Sequence, residues 1–87
     1  MKRGPFDTLR AKLAAFEQWP GPYLFKFIAP KDRIGEVEAL FEGHEYRLRP
    51  SRNGRWVSLT CERVMASSEA VVEIYESATR IEGVMAL

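Results

Sequence analysis

The dipeptide Asn53-Gly54, set between two alternating runs in residues 46–61 (YRLRPSRNGRWVSLTC), constrains this chain more than any other feature. Asn-Gly is the strongest short-range hairpin signal, because a type I′ turn needs positive φ at both central residues. A two-residue turn at that point sets the register. It pairs Leu48 with Leu59, Tyr46 with Cys61 and Pro50 with Val57 on one face. On the other it pairs Arg49 with Ser58, Arg47 with Thr60 and Ser51 with Trp56. A slip of one residue would send every side chain to the opposite face, so the apolar and basic sets would mix.

A chain of 87 residues makes one small domain, and a core this size leaves each large residue in it important. Hydrophobic residues make up 46% and charged residues 29%, which is enough apolar material to fold. Thirteen basic residues against 12 acidic ones leave a net charge of +1. Such a balance gives no mandate for nucleic acid or an anionic membrane, although charge can still cluster. A single cysteine excludes an internal disulfide and suits a reducing compartment. The opening MKRGPFDTLR lacks an apolar stretch behind its basic residues, so it is not read as a secretory signal, and no apolar run has the length of a membrane span. The expected location is cytoplasmic, with no membrane partner.

Along the chain, Phe6, Leu9, Leu13 and Phe16 recur at spacings of three and four, so residues 1–18 predict an amphipathic helical extension, with Asp7 or Thr8 as its cap after Pro5. That stripe needs a partner surface, either the same domain or a second subunit, and without one the segment is a frayed arm. Trp19-Pro20-Gly21-Pro22 breaks the helix. Residues 23–29 (YLFKFIA) predict a central strand, apolar apart from Lys26, with Phe25 and Phe27 pointing at the helices. Asp32 is the expected cap of a helix carrying Ile34, Val37, Leu40 and Phe41 on one stripe, stopped by Gly43. Pro50 cannot donate to a ladder and places the second strand at an edge. Residues 64–66 are expected to leave the sheet. Ser67 or Ser68 caps a further helix, with Glu69 in its first turn and Val71, Ile74, Tyr75 and Ala78 inward. Residues 81–87 (IEGVMAL) predict a final strand.

The order is a helix followed by βαββαβ. Two right-handed crossovers with both helices on one sheet face give an α+β, ferredoxin-like plait with antiparallel strand order 4-1-3-2. The predicted organisation is thus an extension over residues 1–18 and a domain over 19–87. The second sheet face then carries Lys26, Arg47, Arg49, Trp56, Ser58 and Thr60, beside Leu24 and Ile28.

WPGPYLFKFIAP, SRNGRWVSLT and the ending IYESATRIEGVMAL together resemble the YbeD-like family of small bacterial proteins, a domain of unknown function, over about residues 19–87. The resemblance implies a ferredoxin-like fold related to the ACT-type regulatory domains of amino-acid metabolism. It carries over no catalytic or binding residue.

Chemistry is sparse. Cys61 and His44 are the only thiol and imidazole, too few for a zinc site, so no metal and no cofactor is expected. Cys61 reads as a small buried apolar residue and His44 as a solvated one. Acylphosphatases share the plait, but phosphoryl chemistry needs a loop of backbone N–H donors. The loop at 29–33 has Arg33 but no glycine, and Pro30 removes a donor. No enzyme activity is expected. The basic cluster of Arg47, Arg49, Arg52, Arg55 and Arg63 has three readings: a solubilising edge, an anion or nucleic-acid contact, or a protein interface. Bases usually stack on two or three aromatics of the central strands, whereas here the first strand offers Leu24, Lys26 and Ile28, which disfavours nucleic acid.

The reading is therefore a non-catalytic regulatory or binding module, ACT-like in architecture and homodimeric, taking a small metabolite or a protein at Lys26, Arg47, Arg49, Trp56, Ser58 and Thr60. The alternative is weak RNA or anion binding by the same face, with Arg52 and Arg55 added. A patch of Leu24, Ile28 and Trp56 on a face without helices is a surface that another subunit can cover.

Overall fold

The computed structural model describes residues 6–16 and 18–87, without the side chains of Ala14 and Phe16. The expectations placed on Pro5 and on the Phe16 side chain lie outside the described residues. In chain order the elements are α1 (Asp7–Phe16), β1 (Gly21–Pro30), α2 (Ile34–Ala39), β2 (Arg47–Pro50), β3 (Trp56–Met65), α3 (Ser68–Thr79) and β4 (Met85–Ala86). The strands form one antiparallel sheet in the order β2-β3-β1-β4. Both long strands are central and Pro50 sits on an edge strand, where its missing N–H does no harm.

The apolar alternation of β1 and β3 explains why all three helices gather on one side. Phe25, Phe27 and Ala29 of β1 pair with Cys61, Leu59 and Val57 of β3, and all six are buried. Above them lie Val37 and Phe41 from the α2 region and Val71, Val72, Tyr75 and Ala78 from α3. The rings interlock, with Phe25 5.4 Å from Phe41 and Phe27 5.4 Å from Tyr75 between centroids. Each such side chain contributes roughly 1.5–3 kcal/mol by leaving water. Val72, unforeseen on the inner stripe of α3, is fully buried beside Val71.

The extension folds back on its own domain. Leu13 is buried in the common core, with Phe6 and Leu9 packed against it. Arg10 pairs with Glu69 at the start of α3 and with Asp7 at 3.0 Å, and the Phe6 ring lies 6.0 Å from Tyr75. Trp19 donates its indole N–H to the Leu13 carbonyl at 3.3 Å.

The hairpin keeps the expected register but not the expected turn. Arg47, Leu48, Arg49 and Pro50 pair with Thr60, Leu59, Ser58 and Val57. Only Gly54 has positive φ, +74°, and Asn53 does not, so this is not a type I′ turn. Gly54 N–H donates to the Ser51 carbonyl at 2.9 Å, closing one turn over residues 51–54, and Ser51 N–H donates to the Trp56 carbonyl at 2.7 Å. Asn53 works through its side chain instead, its Oδ1 accepting from Arg55 N–H and from the Ser51 hydroxyl, each at 2.9 Å. A four-residue loop over 52–55 has the same centre as a two-residue loop over 53–54. Both therefore yield the same partners, and only an odd loop would have exchanged the faces.

Other boundaries differ for local reasons. β3 runs on to Met65, with Val64 opposite Pro22 and Met65 opposite Gly21, so residues 64 and 65 do not leave the sheet. The cap of α2 is Arg33, without a side-chain hydrogen bond, rather than Asp32. That helix ends early: past Ala39 the chain closes successive three-residue turns to His44, with Gly43 at φ +85° ending the run. Ser67 does cap α3, its Oγ accepting from Ala70 N–H at 3.1 Å. The final strand shrinks to Met85–Ala86, because residues 81–84 are spent on a turn with Gly83 at φ +82° against Pro30.

Candidate functional site: the sheet face without helices

Lys26, Arg47, Arg49, Trp56, Ser58 and Thr60 all lie on the sheet face opposite the helices. Side chains alternate along a strand, so the partners of a surface residue share its face. One row across the sheet reads Arg47, Thr60, Lys26; the next reads Arg49, Ser58, Ile28, Met85. Trp56 follows opposite Pro30 and is 38% exposed. The Ser58 hydroxyl donates to the Arg49 carbonyl at 3.3 Å, tying the edge strand to its neighbour. Ile28, Arg49, Pro50, Ser51, Trp56 and Ser58 line a shallow depression of about 190 Å³.

The face holds more than the sequence reading assigned to it. Since β3 continues past Thr60, Glu62 joins it opposite Leu24, and Val64 stands beyond at 69% exposure. Glu45 joins from the chain before β2, and a second depression of about 500 Å³ is lined by Leu24, Glu45, Tyr46, Arg47, Thr60 and Glu62. Along the other edge Met85 pairs with Ile28, and Leu87 donates its N–H to the Lys26 carbonyl at 2.9 Å. Leu24, Trp56, Val64, Met85 and Leu87 are all exposed large apolar residues of this one face. Extending the alternation of β3 by two positions would have found Glu62 and Val64. Met85 and Leu87 carry no such signal, because two residues cannot show a period.

Not all the arginines collect here. Arg52 and Arg55 stand exposed at the hairpin tip. Arg63 pairs with Tyr23, whose hydroxyl meets that of Tyr75 at 2.7 Å, so Arg63 lies on the helical side. Cys61 is buried and donates its thiol to the Glu45 carbonyl at 3.3 Å. Burial pushes that thiol pKa up, with the charge of Arg63 acting in the opposite direction. His44 is exposed. Among the described residues no helix is long and apolar enough to cross a membrane.

A family model described as "Protein of unknown function (DUF493)" matches residues 16–87. Neither the curated proteins nor the solved structures include a match.

Proposed function

This chain belongs to the DUF493 family, proteins of unknown function, and we propose for it a non-catalytic binding role in which the sheet face without helices docks a protein partner, in the first place a second copy of the same chain. One observation carries this reading. Leu24, Trp56, Val64, Met85 and Leu87 are exposed together on a single face. Exposed apolar residues grouped on one face, here on either side of the charged row of Arg47 and Lys26, are typical of an interaction site. The charges suit a two-fold copy: the acidic end at Glu45 and Glu62 adjoins the basic row of Lys26 and Arg47, so a rotated partner can set acid against base. The four-stranded antiparallel sheet under one helical layer is compatible with a ferredoxin-like, ACT-like regulatory module.

Sedimentation velocity from low micromolar to about 100 µM tests the reading, a range chosen to span ordinary self-association affinities. The intact chain should show a concentration-dependent dimer, and Leu24→Asp should make it monomeric with its circular dichroism spectrum unchanged. A monomer at every concentration, in low and physiological salt, would remove the self-association.

A second reading rests on Lys26, Arg47 and Arg49 sharing the face with Trp56, the materials of single-stranded RNA contact. Its mark is salt dependence: affinity for a labelled oligouridine must fall steeply between 50 and 200 mM salt, on the order of tenfold or more for a few phosphate contacts. Affinity that is flat across that range would exclude it.

A further inference from the structure

We infer that Arg63 forms the base of a binding groove on the helical side, shaped for a small monocarboxylate with an apolar body. The fold creates the groove by default. α2 stops after six residues and β2 begins only at Arg47, so the last part of β3 has no neighbouring strand on that side and only partial helical cover. The space left has a volume of about 290 Å³. Ala70, Glu73, Ile74 and Ser77 wall it from α3, at the spacing that lines up one helical face. Leu40 closes it from the end of α2, and Met65 and Arg63 supply its floor.

Arg63 is the unusual member. Its Nε is buried without a hydrogen-bond partner, and it makes no ion pair with any described carboxylate. A guanidinium nitrogen shut away from water and unsatisfied is costly, and native proteins rarely leave one so. A small turn of the side chain, which is only partly buried as a whole, brings the Nε and Nη edge out to the groove, where a carboxylate can accept from both nitrogens together in the fork geometry that arginine favours. Leu40, Met65, Ala70 and Ile74 offer the ligand's carbon skeleton an apolar wall. Glu73 lines the same groove and disfavours a second negative charge on the ligand. The volume lies at the small end for ligand pockets, which limits the occupant to a few carbons beyond its carboxylate. This groove is on the opposite side of the sheet from the docking face and stands independently of it.

The side-chain ¹⁵N–¹H resonance of Arg63 Nε in the full chain gives a direct test. Sodium 4-methylpentanoate should shift it saturably, with a dissociation constant on the order of 1 mM for so small a molecule. The neutral isostere 4-methylpentanamide and inorganic phosphate should each bind at least about tenfold more weakly, since one lacks the charge and the other the apolar body. Arg63→Gln should abolish the response of the surrounding backbone resonances. Ser77→Phe, which fills the groove and leaves Arg63 in place, should abolish it as well, and serves should Arg63→Gln not fold. An Arg63 resonance unmoved by the carboxylate, an equal response to the amide or to phosphate, or a response surviving in Ser77→Phe would overturn the inference.

Discussion

The two central strands and the two edge strands of the sheet are held in place by different physics. β1 and β3 are ten residues each and bury alternate side chains at Phe25, Phe27 and Ala29 and at Val57, Leu59 and Cys61. β2 and β4 are four and two residues, and none of their side chains is buried. The central pair is registered by burial: a slip of one residue would drive Lys26 into the core and Phe27 into water. The edge pair has no such constraint. β2 is aligned by the loop chemistry of Ser51, Asn53 and Gly54, and β4 by the turn at Gly83 and a few backbone hydrogen bonds. Short edges also offer little template for unwanted pairing. The molecule thus concentrates stability at its centre and leaves its margin free for contact.

The largest test of that contrast is Phe27→Ala. Phe27 is fully buried among Phe25, Phe41 and Tyr75. Truncation leaves a cavity and should cost about 3–5 kcal/mol, enough to unfold a domain of this size or bring it close to unfolding. Urea denaturation followed by circular dichroism measures it. A loss below about 1 kcal/mol would mean that burial does not hold the central strands.

What could be read from the sequence follows the same division. The helical side of the sheet was legible in Phe25, Phe27, Leu59 and Cys61 because a period of two, once anchored, predicts every later position. The basic face was legible for the same reason at Lys26, Arg47 and Arg49. Two strand ends were not. β3 was cut short because Glu62 and Arg63 look like solvated residues, yet the alternation continues beneath their charges. The extent of β4 was overestimated because IEGVMAL is apolar, while Gly83 at positive φ diverts half of it into a turn. Arg63 is the instructive case. Composition grouped it with the other arginines, but parity from Tyr23 sends it to the opposite side, where its Nε meets no partner.

A middle-sized effect joins the central strands to α3. The Tyr23 and Tyr75 hydroxyls share a hydrogen bond of 2.7 Å, and Tyr75 is buried. Burial first, and that hydrogen bond second, push the Tyr75 phenol well above its ordinary 10.0. An acid whose folded pKa is raised holds its proton in the folded state after the unfolded chain has lost it. Its stabilisation is complete below about pH 10 and declines as pH climbs from there towards the folded value. Tyr75→Phe should cost about 1 kcal/mol at pH 7 from the lost hydrogen bond. The gap to the parent chain should then close between about pH 10 and 11, since the linkage slope approaches 1.4 kcal/mol per pH unit and the variant lacks it. Cys61, also raised by burial from 9.0, adds its own decline to both proteins and leaves the difference intact. Two parallel stability curves across that range would show that Tyr75 ionises alike in the folded and unfolded states.

The smallest effect sharpens the comparison most, because it uses one residue type in one row. Leu48 and Leu59 face each other across the β2–β3 ladder and point to the same side of the sheet. Leu59 is fully buried, while Leu48 is 42% exposed, since the short α2 leaves the edge strand partly uncovered. If hydrophobicity of the pair set the alignment of β2, truncating either leucine would cost alike. If the loop sets it, Leu48→Ala should lose only about 0.5–1 kcal/mol, the residue's partial burial, with the remaining cross-strand contacts of Arg47 and Arg49 intact by nuclear Overhauser effects. Leu59→Ala should lose about 2–5 kcal/mol. Loss of the Arg49–Ser58 contact in Leu48→Ala would shift the control of register from the loop of Ser51, Asn53 and Gly54 to the side chains of the strands.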